Sequence, residues 1–142
     1  RDFCLSRGLG DVYKRQTEDG VICGTGAIVT AADAYLEAAG SSLRAEDLTG
    51  TDPEELYRLV SEDQPVVVWV TISMADRGET EGWYTEDGEY VDWSHNDHGA
   101  VLIGYSGTTV TIADPISGQI EYDRQQFEEV FADRGNRCVV IG

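Results

Sequence analysis

Hydrophobic and polar residues change their period several times along this chain, and each change marks an element. Val66 to Ile72, VVVWVTI, is the most apolar run. It is too short for a buried helix and too β-branched, so it predicts a central strand. Ala100 to Tyr105 is a second apolar run rich in strand formers, and Thr109 to Ala113 alternates β-branched with apolar residues. Ser106-Gly107 supplies a turn between them and Asp114-Pro115 stops the second, which together predict a β-hairpin. Apolar spacings of three and four predict helices elsewhere. Ala27, Ile28, Ala31, Ala34, Tyr35 and Ala38 fall at those spacings and predict a helix over Thr25 to Ala39, with Gly40 as its stop. Thr51-Asp52-Pro53-Glu54-Glu55 opens a second helix, with proline and acids in its first turn, that runs to Ser61 with Leu56, Leu59 and Val60 inward. Asp123 caps a third, Arg124 to Ala132, carrying Phe127, Val130 and Phe131 inward, and Gly135 ends it. Leu43–Leu48, Ile120–Tyr122 and Arg137–Ile141 read as short strands. Helices early and antiparallel strands late predict an α+β fold, with helices on one side of a mostly antiparallel sheet.

Between the central strand and the hairpin, Met74 to Asp97 is a long polar stretch containing Trp83, Tyr84, Tyr90 and Trp93. Its Glu86-Asp87-Gly88-Glu89 piece reads as a hairpin turn. Loops of this length are commonly functional, so Trp83, Tyr90 and Trp93 are candidate substrate-binding residues that could line a peptide groove. The competing reading is that these aromatics pin the loop to the body of the domain.

Composition separates the two ends of the chain. The whole carries 10 basic and 27 acidic residues, a net charge of −17 over 142 residues. Residues 1–16, RDFCLSRGLGDVYKRQ, hold four of the basic residues and the only lysine, Lys14; beyond them six arginines face 25 acids. That segment resembles the read-through peptide ending in DVYKRQ that translated sequencing adapters leave on reading frames. It is read as a non-native segment, and residues 17–142 as one domain whose natural N-terminal part is missing. The acid excess disfavours nucleic acid and anionic membrane as partners, because phosphates are repelled, and it suits a basic substrate or an adaptation to salt or secretion. No apolar run approaches the ~20 residues needed to span a bilayer. An extracellular or cell-envelope location is expected rather than a cytoplasmic one. Three cysteines, Cys4, Cys23 and Cys138, are too few and too irregular for a disulfide framework.

Candidate chemistry gathers at the hairpin. His98 enters its first strand and Asp114 leaves its second, so both are expected at the same end of the sheet. An imidazole beside a carboxylate is two-thirds of a nucleophilic triad, with Asp114 orienting the ring and His98 carrying the proton. A lone histidine near a turn is more often a surface residue, and Asp-Pro a strand terminator. His95-x-x-His98 with Asp97 lacks the thiolate pair of a metal site, and no glycine loop cradles a phosphate, so neither metal nor cofactor is expected. Cys23-Gly24 stands before the first helix, whose dipole would favour a thiolate there; a small buried residue is the plain alternative. Cys138 reads as a packed core residue.

PVVVWVTISM, the tryptophan-bearing loop, HGAVLIGYSGTTVTIADPISGQIEYDRQQFEEVF and the final CVVI strand are similar to the C39-like cysteine peptidases, a branch of the papain-like fold. The resemblance covers about Cys23 to Ile141, and its specific part is the His…GY…DP spacing, 16 residues from His98 to Asp114. It implies a bacterial hydrolase with a Cys-His-Asp triad and a peptide or protein substrate. In the family the cysteine opens a helix and a glutamine a few residues earlier contributes to the oxyanion hole. Two placements of that cysteine stay open. Cys23 lies 75 residues before His98, but only Gln16 precedes it. Alternatively, Val21 to Leu36 and Asp47-Leu48-Thr49-Gly50 match a later part of the larger relatives, and the nucleophile lies upstream of this sequence; this placement is preferred. A non-catalytic peptide-binding module of the same family is the alternative function.

Overall fold

The computed structural model describes residues 24–142 apart from Arg77, Glu89 and His95, with only the backbone at Val91, Asp92 and Trp93. In chain order the elements are helix α1 (Thr25–Ala38), strand β1 (Ala45–Asp47), helix α2 (Pro53–Ser61) and strand β2 (Val66–Thr71). A 3-10 turn (Ile72–Met74) leads to strands β3 (Glu81–Tyr84), β4 (Tyr90–Trp93), β5 (Asp97–Tyr105), β6 (Thr109–Asp114) and β7 (Gly118–Asp123). Helix α3 (Arg124–Asp133) and strand β8 (Cys138–Ile141) complete the order. Six strands form one sheet in the order β1-β8-β2-β5-β6-β7, and β3 and β4 form a separate two-stranded ribbon. Among the described residues every strand pairing is antiparallel. The α+β architecture expected from the pattern is present.

Strand β2 organises the sheet because it is apolar at both parities. Val66, Val68 and Val70 are fully buried against Leu56, Leu59, Phe127, Val130 and Phe131 of α2 and α3. Val67 and Trp69 point the other way, where they meet Ile28, Val29 and Ala32 of α1 together with Ala45 and Val139. The helices therefore cover both faces of the sheet, not one. A strand without a polar face must be roofed on both sides, because each exposed apolar face would cost about 25 cal/mol per Å².

Helix α1 presents a different stripe from the one those spacings mark. Ile28, Val29 and Ala32 pack against the core and Leu36 is buried, while Ala27, Ala31, Ala34, Tyr35 and Ala38 are exposed. Of the six apolar residues whose spacing marks the helix, Ile28 alone faces inward. In an alanine-rich helix the alanines mark no face strongly, and the side chains with most apolar area decide it. Asp33 shares the inward side, where its carboxylate accepts the Ala45 N–H at 2.7 Å and ties β1 to the helix. The helix ends as expected at Gly40, whose φ of 72° lets the Ser41 and Gly40 N–H groups return to the Leu36 and Glu37 carbonyls.

Helix α3 begins with the expected cap, the Asp123 carboxylate accepting the Gln126 N–H at 3.0 Å. A bulge between Leu102 and Gly104 shifts the β5–β6 register. After it Tyr105 pairs with Val110, so its ring turns to the α2 side and stacks on Tyr57 with centroids 4.9 Å apart. Tyr57 is 2% exposed and donates its hydroxyl to Glu128 Oε2 at 2.8 Å. Arg124 sits over the same ring, 4.3 Å from its centroid, and bonds Glu128, Glu54 and the Ser106 carbonyl. Removing the hydroxyl while keeping the ring isolates the hydrogen bond to a carboxylate. Tyr57→Phe is expected to lower the free energy of unfolding by about 1–2 kcal/mol. Urea unfolding followed by far-UV circular dichroism checks this, and an unchanged midpoint would contradict it.

Candidate active site

The site is built by strand register. Residues 97–102 of β5 pair with β2 without a break, placing His98 opposite Val70, Ala100 opposite Val68 and Leu102 opposite Val66. His98 therefore shares its face with Ala100 and Leu102. On the other side Leu102 pairs with Ile112 and Val101 with Ala113. Continuing that register brings Asp114 across from Ala100, on the face of His98 and diagonal to it, within reach of two medium-length side chains. His98 Nε2 and Asp114 Oδ2 lie 3.0 Å apart. Their side chains are 12% and 6% exposed, so water screens the contact little.

The two carboxylate oxygens of Asp114 have separate partners. Oδ2 takes the imidazole, while Oδ1 accepts the Ile116 N–H at 2.7 Å and the Ser117 N–H at 3.1 Å. This is an Asx-type turn: Pro115 fixes its own φ, and Gly118, at φ 75°, pairs back with Asp114 to start β7. Burial pushes the Asp114 carboxyl up, but the two backbone N–H groups and then the imidazole outweigh it. The carboxyl is held below its usual range. With Nε2 committed to Asp114, exchange of a proton with any third group runs through Nδ1.

Next to this pair, burial and secondarily the charge of Asp114 push the Tyr122 hydroxyl up. A buried ion pair stands on the other side of His98. Arg134 Nε lies 3.1 Å from Asp97 Oδ1, with side chains 2% and 7% exposed. Neither Tyr122 nor Arg134 was singled out from sequence, and Asp97 was weighed there only beside His95 and His98 as a metal ligand. Arg134 was findable, because it continues the inward stripe of Phe127, Val130 and Phe131 at helical spacing.

The aromatic candidates divide. The β3–β4 ribbon pairs Trp83 with Val91 and Tyr84 with Tyr90, and its turn over Glu86–Gly88 is where the sequence placed it. Alternation along β3 puts Trp83 and Tyr84 on opposite faces, so Trp83 and Tyr90 do not share one wall of a groove. Tyr90 is exposed, meets Tyr84 edge to face at 5.0 Å, and lies across Gly82, where any Cβ would collide with its ring. Trp83 is half-buried. The Trp93 side chain, His95 and Cys23 lie outside the described residues, as does the 1–16 segment. Among the described residues no group of three or more His, Cys, Asp or Glu could hold a metal ion. No described helix is long and apolar enough to cross a membrane.

The sequence model of the Peptidase_C39 like family matches residues 6–139. The chain belongs to that family. The fold is similar to the crystal structure of a candidate C39-like peptidase from Bacillus anthracis, at 32% identity and a TM-score of 0.73. That match covers 84% of this chain and 58% of the other, so this member of the family spans under two-thirds of that relative's length. No curated protein matches the chain.

Of the family member's cysteines, Cys138 is fully buried in the main core cluster. Burial, and secondarily the charge of Asp47, push its thiol up to about 12. It is a core residue, as its place in the last strand suggested. In the native protein it is expected to react with a soluble disulfide reagent only on the time scale of unfolding, and promptly in denaturant. Peptide mapping of the modified thiols reads this, and fast native modification of Cys138 would contradict it.

The depressed Asp114 carboxyl gives a second expectation. A carboxyl with a folded pKa below its unfolded one contributes stability that is complete above the unfolded value and lost as pH falls through the folded value. Asp114→Asn is expected to cost on the order of 1–2 kcal/mol at neutral pH. The gap between the two proteins should shrink as pH falls below about 4. Unfolding free energies measured across that range test this; a gap that widens in acid would contradict it.

Proposed function

We propose that this chain supplies the histidine and the aspartate of a cysteine peptidase active centre. His98 is the proton carrier and Asp114 orients it. The observation supporting this reading is the buried 3.0 Å contact between His98 Nε2 and Asp114 Oδ2, formed across two strands at one end of the sheet. A carboxylate on one ring nitrogen fixes the tautomer and favours the imidazolium, leaving the other nitrogen for the reacting groups.

In the proposed reaction a thiolate attacks the carbonyl carbon of a peptide bond while His98 is protonated at Nδ1. The C–N bond breaks as His98 gives that proton to the leaving amine, and an acyl-thioester remains on the cysteine. Water then attacks the thioester, His98 taking its proton, and the thiol is released. Asp114 holds the ring through both half-reactions. The nucleophile in this reading is Cys23 or a thiol upstream of residue 17, since the buried Cys138 is unsuited to the task. Residues 1–16 are a non-native segment in the same reading, and residues 17–142 the domain. The substrate is a peptide or protein, met outside the cytoplasm.

The test uses the natural reading frame containing residues 17–142, expressed whole. An electrophilic thiol probe should label a single cysteine near neutral pH. His98→Ala should slow both labelling and peptide hydrolysis by about 10²–10⁴-fold. Labelling and hydrolysis undiminished in His98→Ala would defeat the proposal. Tight binding of a peptide that is never cleaved would favour a non-catalytic peptide-binding module instead.

A further inference from the structure

We infer that Arg134 is a positioning residue for His98, acting through Asp97; this deepens the proposed function and rests on its reading of His98. Arg134 is the residue that closes α3, and its side chain is nearly fully buried, with Nε 3.1 Å from Asp97 Oδ1. Asp97 is the first residue of β5 and the neighbour of His98 in the chain. Its second oxygen, Oδ2, accepts the Ser94 N–H at 3.0 Å, and its own N–H returns to the Ser94 carbonyl at 3.0 Å. Within the turn so closed, the Asn96 N–H donates to Ser94 Oγ, the Asn96 carbonyl accepts the Ile72 N–H, and the Asn96 amide reaches the Asp76 carbonyl. The backbone that delivers His98 is thus fixed to the end of β2 by hydrogen bonds and to α3 by the Arg134 guanidinium.

The placement has a chemical consequence. Asp97 and His98 are consecutive on β5, and the two carboxylate oxygens of Asp97 meet Arg134 and the Ser94 N–H, so what happens to Asp97 reaches the imidazole through the backbone they share. A buried carboxylate without a cation would be strongly unfavourable, and its turn would open toward water to solvate it. Opening the turn displaces the first residues of β5. The Nε2–Oδ2 contact tolerates little displacement, because a misplacement of about 1 Å is enough to impair a catalytic geometry. Arg134 therefore holds, through Asp97, the ring that Asp114 orients.

The imidazole itself can report on this without any cleavage assay. In protein labelled with ¹⁵N-histidine, long-range proton–nitrogen correlation distinguishes the tautomers of the two histidines, and His95→Gln assigns them. The native protein should show neutral His98 protonated at Nε2, with a slowly exchanging, downfield-shifted proton. Arg134→Gln should average the two ring nitrogens and speed exchange of that proton on the order of 10-fold or more. Arg134→Lys, which keeps the charge, should restore the signal in part. Tyr57→Phe, destabilised at a distance from the site, should leave it in place. If Arg134→Gln fails to fold, Asp97→Asn, which keeps the side-chain shape, is expected to give the same loss. A folded Arg134→Gln or Asp97→Asn with the native His98 signature would overturn the inference, as would loss of the signature in Tyr57→Phe. A native protein in which His98 lacks the Nε2–H signature would instead remove the proposed role of His98, and this inference with it.

Discussion

Strand β5 has a partner on each side, and both of its registers are set by one buried apolar layer. Toward β2, six consecutive residues pair without a slip, because a shift by one would turn Ala100 and Leu102 out of the core and Val101 into it. Toward β6, Leu102 meets Ile112 in the same buried layer. These apolar contacts fix where His98 and Asp114 lie before either side chain forms a hydrogen bond. The polar pair sits at the end of a layer whose next members are Ala100, Leu102, Ile112 and Val110, all fully buried. Hydrophobic registration thus provides the placement, and the hydrogen bond provides the final orientation.

Helix α3 reinforces that arrangement from both ends. At its first residue, Arg124 reaches the Ser106 carbonyl just beyond β5 and covers the Tyr57 ring on which Tyr105 stacks. At its last turn, Arg134 meets Asp97 at the other end of the strand. The β-bulge at Ile103 makes the first of these contacts possible, since without the extra residue Tyr105 would face away from α2. Its apolar stripe secures the middle of the helix, and two arginines of very different exposure join its ends to a single strand.

What could be read from the sequence follows from how local each signal is. The β5–β6 hairpin, its turn and the meeting of His98 with Asp114 were legible, because a strand of period two and a turn determine which ends come together. Membership of the C39-like family rested on the same residues. The three helices were legible in extent for similar reasons, through Gly40, Pro53 and Asp123. The inward face of α1 was not, because its alanines fit almost any stripe and the choice belongs to Trp69 and Val139 on distant strands. That α1 roofs the opposite face of the sheet was implicit in VVVWV, which has no polar parity. The pairings of Tyr57 and Arg134 were missed for one reason: each partner, Glu128 and Asp97 respectively, lies more than 30 positions away, and periodicity, which places Arg134 on the inward stripe of α3, does not say what it meets there. Trp83 and Tyr90 were grouped as aromatics of one loop, whereas the ribbon's alternation separates them.

The division of labour within Asp114 bears on how the proposed chemistry could be sustained. A carboxylate that only bonded the imidazole could rotate with it, and the ring would lose its reference direction. Here Oδ1 is held by two backbone N–H groups of the turn that follows β6, so the plane of the carboxylate is set by the main chain. Those same N–H groups are the leading influence lowering the carboxyl against the pull of burial, which keeps it anionic whether or not the imidazole is charged. The aspartate can then stabilise an imidazolium without itself taking the proton. Pro115 contributes by fixing the first step of the turn, and Gly118 by accepting the positive φ that closes it. The Asp-Pro-Ile-Ser-Gly segment thus acts as a rigid mount for one charge, and the direction in which it holds that charge decides which imidazole nitrogen is left for the proposed chemistry.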